Sequence, residues 1–185
     1  MILQDKNTAA PGGKFSHAQF CASRSVIEEN NGVVTKTFDY DRFVGQDRWL
    51  ESYNNLRHWD ARYVEVYEIG PNFVKMKYES NTVHLREVIH GGTDHSDDIK
   101  LKLLSDYLEI FYLSHSYIAH SNEVFIHNDL NPYNILVNEN NELIIIDPDS
   151  CDYNPRFDRI LPDLISNYTR SMHRYYELLQ NKVKS

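Results

Sequence analysis

The sequence predicts an α+β chain of two small lobes, the first rich in strands and the second mainly helical, and three stretches carry that reading. "SVIEENNGVVTKTF" is two β-prone runs split by Asn30, Asn31 and Gly32, residues that accept the positive backbone angles of a tight hairpin turn. "DDIKLKLLSDYLEIFY" keeps apolar residues on one helical face. "FIHNDLNPYNILVNENNELIIIDPDS" sets His127, Asn128, Asp129 and Asn134 against apolar runs, as a loop does when it is held on a small hairpin. A chain of 185 residues can fill one domain or build two small lobes around a cleft.

Residues 1–14, with Pro11, Gly12 and Gly13 near their end, read as a loose arm, and the β-rich lobe is assigned to 15–79. After the hairpin, "QDRWLESYNNLRHW" places Leu50, Tyr53 and Leu56 on one helical face, with Asp47 as the candidate cap. "YVEVYEIGPNFVKMKYES" supplies two further strands around a turn at Gly70, Pro71 and Asn72. The helical lobe is assigned to 80–185. There Ser96 caps a helix whose first turn holds Asp97 and Asp98, and Leu104, Tyr107, Leu108 and Phe111 form a stripe that runs to about Ile118. Ile135–Val137 and Leu143–Ile146 are short strands around a polar turn. A last helix is expected from about Arg159 to Lys182, with Pro162 in its first turn and Tyr168, Tyr175 and Tyr176 as core or interface residues.

Composition excludes several functions. A hydrophobic fraction of 41% with 25% charged residues fits a folded chain rather than a disordered one. A net charge of -8 argues against nucleic acid, whose phosphates call for clustered Lys and Arg. Cys21 and Cys151 alone make no disulfide framework, which suits a reducing compartment. The opening has no basic flank followed by an apolar run, and no stretch approaches the roughly 20 apolar residues that span a bilayer. A cytoplasmic protein without membrane contact is the expectation. The nine histidines include no HExxH pair, and His115 and His120 miss the helical spacing of two ligands, so no zinc site is expected.

Chemistry concentrates in the third stretch. A hairpin that brings Asp129, Asn134 and Asp147 together offers a carboxylate to orient and deprotonate a hydroxyl, with an amide oxygen and a second carboxylate as hard ligands for Mg²⁺. Magnesium uses one or two protein groups and takes its other ligands from phosphate and water, so that pair suffices.

"HNDLNPYN" followed by "IIIDPD" resembles the HxDxxxxN loop and metal aspartate of the protein-kinase-like superfamily. Asn128 stands where ordinary protein kinases have arginine, and Pro148-Asp149 where they have Phe-Gly, so the closer resemblance is to aminoglycoside phosphotransferases, choline and ethanolamine kinases and RIO-type kinases. It implies a minimal two-lobed kinase-like fold with a truncated helical lobe. His127 would support the loop, and Asp158, in "YNPRFD", would anchor it. Lys36 in "VVTKTF" would pair the nucleotide phosphates, held by Glu51 on the next helix. Lys77, Tyr78 and Glu79 would face adenine, with Met76 behind the pocket. "FCASRS" stands in place of a glycine-rich loop, making Ser23 and Ser25 the phosphate contacts.

The resulting expectation is an ATP- or GTP- and Mg²⁺-dependent phosphotransferase acting on a small-molecule hydroxyl such as an amino alcohol or sugar. The alternatives are a RIO-like protein kinase and a nucleotide-binding regulator without turnover. Asp149, Asp152, Asp158 and Asp163 crowd the stretch around the metal aspartate and suggest a cationic acceptor. The short helical lobe suggests self-association or a protein partner that completes it.

Overall fold

The computed structural model describes residues 19–21, 25–43, 45–121, 124–153 and 157–184. Strand β1 (Gln19–Cys21) pairs with β2 (Ser25–Asn30), which turns into β3 (Val33–Phe38) through Asn31 and Gly32. Both turn residues are left-handed, at φ 52° and 80°. An Asn-Gly pair suits that backbone because glycine has no Cβ to clash and asparagine tolerates positive φ, and the turn's twist matches that of the strands it joins.

Helix α1 (Gln46–Trp59) follows, then β4 (Val66–Gly70) and β5 (Phe73–Lys77), completing an antiparallel sheet of order β1-β2-β3-β5-β4. Asp47 is not the cap of α1. The helix starts from Gly45 at φ 74° with no side-chain cap, and Asp47 lies in the first turn, where its charge favours the N-terminal dipole. Tyr53 and Leu56 are buried as expected, and Trp49 rather than Leu50 completes the face. Trp49, Tyr53 and Leu56 are buried while Leu50 is half-buried, because the indole has the larger apolar area to cover. Trp49 stacks on Tyr53 with ring centroids 5.1 Å apart and meets the edge of Phe125, from the second half of the chain, at 5.6 Å.

The second half opens with β6 (Val83–His84) and α2 (Leu85–Ile89), two elements too short for periodicity to reveal. Helix α3 (Asp97–His120) begins as the sequence indicates, with the Ser96 hydroxyl accepting the Ile99 N–H at 3.4 Å. Leu103, Leu104, Tyr107, Ile110 and Phe111 are buried, and Leu108 only partly. Beyond it come β7 (Ile126–His127), β8 (Ile135–Val137), β9 (Leu143–Ile145), β10 (Cys151–Asp152) and α4 (Phe157–Lys184). Helix α4 starts before Arg159, so Pro162 falls past its first turn. It packs along α3 and leaves Ile165, Tyr176 and Val183 exposed, while Tyr175 packs against the core. Ile146 lies outside β9.

Two small sheets carry the loop of interest: β6-β8-β9, and the antiparallel pair β10-β7. The two halves share one continuous apolar core, and their backbones also join, Val64 N–H donating to Ile145 O at 2.9 Å and Ile145 N–H to Arg62 O at 2.8 Å. Among the described residues no helix is long and apolar enough to cross a membrane.

Tyr107 ties α3 to the loop, its hydroxyl donating to Leu130 O at 2.8 Å in the buried core. Tyr107→Phe strands that carbonyl, and the expected loss is about 1–3 kcal/mol of unfolding free energy in urea melts, with an unchanged m-value.

Candidate active site at the lobe junction

The loop after β7 is held from both sides by backbone. Cys151 pairs with His127, and Asn128 N–H donates to Ser150 O at 2.9 Å. Further on, Asn131 N–H bonds Asp129 O at 2.9 Å, Asn134 N–H bonds Asn131 O at 3.0 Å, and Ile146 N–H bonds Asn134 O at 2.9 Å. The β8–β9 hairpin therefore returns the chain to the loop it left and delivers Asp147 beside it.

His127 is buried, and its two ring nitrogens face opposite kinds of partner. Nδ1 accepts the Asp129 N–H at 3.2 Å, so the proton resides on Nε2, which donates to Ile146 O at 3.0 Å. Burial pushes its pKa below the usual histidine value, against the opposing pull of the Ile146 carbonyl and the nearby aspartates. The ring is a neutral brace between the loop and the end of β9.

Asp129 is clasped by two amides. Asn131 Nδ2 donates to Oδ1 at 2.5 Å, and Asn134 Nδ2 to Oδ2 at 2.8 Å and to the Asp129 carbonyl at 3.0 Å. With its NH₂ thus engaged, Asn134 turns its amide oxygen, a hard ligand, away from Asp129. Asp147 follows β9 in a left-handed conformation, φ 66°, at the head of the 3-10 turn Pro148–Ser150. The Ser150 hydroxyl donates to Asp147 Oδ2 at 2.7 Å.

Across the junction, β3 supplies Lys36, paired with Ile27 on one side and Val74 on the other. Its ammonium donates to Asp147 Oδ1, and to both oxygens of Asp149 at 2.8 and 3.0 Å. The Lys36 and Asp149 side chains are only 6% and 7% exposed, so this is a buried ion pair. Burial alone would lower the lysine pKa, yet Asp149 and Asp147 together outweigh it and hold the ammonium above its usual range. Burial likewise opposes ionisation of Asp147, but Lys36 and Ser150 outweigh it and keep that carboxyl below the usual range. Asp149 goes the other way, raised by burial and then by the Asp147 charge. Arg42 donates to the Asp149 carbonyl at 2.5 Å and faces Asp152 at 3.8 Å.

The ion pair expected between Lys36 and Glu51 does not form. Glu51 lies two residues beyond buried Trp49, about 200° round the helix, and is exposed. The face of α1 that meets residues 147–153 is built by others. Trp49 Nε1 donates to Cys151 O at 3.1 Å, and the Tyr153 hydroxyl reaches the Ser52 hydroxyl at 2.8 Å and Arg48 O at 2.7 Å. No spacing in the sequence could announce Arg42 or the pairing of Asp149 with Lys36, because both contacts span more than 100 residues.

Met76 is buried on β5, next to the segment expected to face adenine. Two N–H groups there are already engaged, Lys77 with Glu65 O at 2.8 Å and Tyr78 with Gly32 O at 3.0 Å, while the Lys77 ammonium pairs with Glu79 at 3.0 Å. Ser25 is buried opposite Phe38. Ser23 lies outside the described residues, as do the side chains of His115, Asp158, Asp163 and Tyr168. Of the acidic residues expected to attract a cation, Asp149 is thus spent on Lys36 and Asp152 faces Arg42. Among the described residues no group of three or more His, Cys, Asp or Glu could hold a metal ion.

The neutral His127 has a pH signature. Its folded pKa lies below the unfolded value of about 6.5, so the unfolded chain binds more protons between the two values, and stability rises with pH in that window. The contribution is complete above about pH 7 and is lost as pH falls through about 6.5 toward the folded pKa. His127→Gln keeps a donor and an acceptor without a titrating ring, and the expected outcome is a flatter stability-against-pH curve between about pH 7.5 and 5.5 in urea melts.

The sequence matches no protein-family profile and no curated protein. Among solved structures, the chain is similar to a crystal structure of WbdD, with a TM-score of 0.50 and 17% sequence identity, over 83% of this chain and 36% of that one. A co-crystal structure of WbdD with the kinase inhibitor LY294002 gives 0.49 and 15% over the same shares. The chain spans about 36% of the length of the protein it resembles. At such identity the likeness speaks for fold alone, and the fold is that of a small α+β kinase-like protein, with a five-stranded antiparallel sheet and one helix packed on a mainly helical half.

Proposed function

We propose that the chain is a phosphotransferase that uses ATP or GTP with Mg²⁺ to phosphorylate a small-molecule hydroxyl. The observation that carries this reading is the convergence, at one junction, of a carboxylate fixed by two amides and a lysine from the opposite half buried against Asp147 and Asp149. Phosphoryl transfer asks a protein for little covalent chemistry and much positioning of charge, and these groups are of the kinds it needs. Asp129 is the residue to orient the acceptor hydroxyl and hold its departing proton. Lys36 is the cation for the phosphates, and its pairing with Asp147 supports that role, because a phosphate is an anion that can take the carboxylate's place.

Asp147 and Asn134 fit a magnesium ion: a carboxylate and an amide oxygen are both hard ligands, and their small number suits an ion otherwise coordinated by phosphate and water. When bound, the ion neutralises charge on the transferring group. The reading includes a second copy or a partner on α4, where Ile165, Tyr176 and Val183 are exposed. A nucleotide-binding regulator without turnover is the second reading. The observation that favours it is the clasp on Asp129, which occupies both oxygens that a base would turn on its substrate.

The test is Mg²⁺-dependent nucleotide turnover against a panel of cationic, neutral and anionic alcohols. Asp129→Asn is expected to keep nucleotide affinity and lose about 10²–10⁴ in turnover, and equal turnover in both proteins would remove the assignment. Asp147→Ala is expected to abolish the Mg²⁺-dependent part of nucleotide binding in calorimetry, with equal MgATP affinity as the contrary result.

A further inference from the structure

Kinase-like chemistry needs its phosphate-pairing lysine held in place by an anion other than the metal ligand, and the residue expected for that task is turned to solvent on α1. We infer that Asp149 is the positioning residue that holds Lys36 toward the phosphates, doing from the segment after Asp147 what Glu51 does not do from the helix. The inference rests on the phosphotransferase reading and adds to it the anchor of its lysine.

Three observations carry it. First, the contact is bidentate, both Asp149 oxygens lying within 3.0 Å of Lys36 Nζ, which fixes the direction of the ammonium as well as its distance. Second, the pair is buried, so a Lys36 deprived of Asp149 would keep an ammonium in a poorly solvated place with Asp147 as its one remaining carboxylate. Asp147 cannot serve both as that sole counter-charge and as a metal ligand. With Asp149 present, Lys36 can yield Asp147 to a cation and stay charged and oriented. Third, Asp149 is itself braced from the far half of the molecule. Arg42 donates to its carbonyl, and Trp49 Nε1 to the carbonyl two residues on, so the carboxylate sits on a backbone pinned to the segment after β3 and to α1, in the half that carries the lysine. Asp149 and Lys36 therefore belong to one rigid arrangement, although they are far apart in sequence.

The experiment compares Asp149→Asn, Asp149→Glu, Glu51→Gln, Lys36→Met and the double variant Lys36→Met/Asp149→Asn in the full chain. MgATP affinity is read by calorimetry, kcat and KM by turnover, and folding by thermal melts. Asp149→Asn is expected to weaken MgATP binding about tenfold, near the loss in Lys36→Met. The double variant should be no weaker than either single one, Asp149→Glu should recover part of the loss, and Glu51→Gln should lose far less than Asp149→Asn. An Asp149→Asn protein that binds MgATP like wild type, or a Glu51→Gln protein as impaired as Lys36→Met, overturns the inference. If Asp149→Asn does not fold, Asp149→Glu decides alone: affinity and melting equal to wild type would overturn it, because a carboxylate displaced by one methylene cannot keep the same two contacts. If wild type binds no nucleotide, the phosphotransferase reading fails on its own. The anchoring pair is then judged by the melts, where additive losses in the double variant count against it and non-additive losses count for it.

Discussion

Lys36 reaches from β3 across the junction of the two halves into a pair of carboxylates, and neither side can keep its charge buried without the other. Removing one partner from such a cluster leaves an uncompensated charge in a poorly solvated place, which costs far more than the loss of a surface ion pair. That constraint fixes how the sheet sits against residues 147–153. The aromatic packing is consistent with the same placement: Trp49 stacks on Tyr53, meets Phe125, and spends its indole N–H on the backbone of that segment. Direction comes from the polar contacts and area from the apolar ones.

The opposite wall of the site obeys a different rule. In the loop from His127 to Asn134, Asp129, Asn131 and Asn134 bond one another, while the Leu130 and Pro132 carbonyls accept from Tyr107 on α3 and Arg86 on α2. His127 bridges the loop to Ile146 O through a neutral ring, which avoids placing a further charge near Asp129 and Asp147. The side chain is chosen for its paired donor and acceptor, and its burial maintains the protonation state that makes that pairing work. The site thus joins a neutral, hydrogen-bonded wall to a charged one.

Much of this was legible in the sequence. The hairpin at Asn31 and Gly32 and the capped start of α3 at Ser96 are local, since each depends on the backbone preferences of a few neighbouring residues. The closeness of Asn134 to the end of β9 was readable for the same reason, because a single short hairpin separates the loop from Asp147. Helix α2 was not readable, being shorter than two turns, and on the buried face of α1 Leu50 stood in the place that Trp49 takes, because both are apolar.

What the sequence alone determined is therefore the class of the fold, the order of its main elements and the place of one polar loop, all consequences of periodicity and turn preference within short windows. What only the tertiary structure decided is which charge meets which. Glu51 and Asp149 are equally acidic on paper, and the choice between them as partner of Lys36 is made by the rotation of α1 once Trp49 is buried, which turns Glu51 outward and brings the segment after Asp147 against the sheet. Burial of an indole is a free-energy term of the whole core, summed over neighbours far apart in sequence, and no local window contains it.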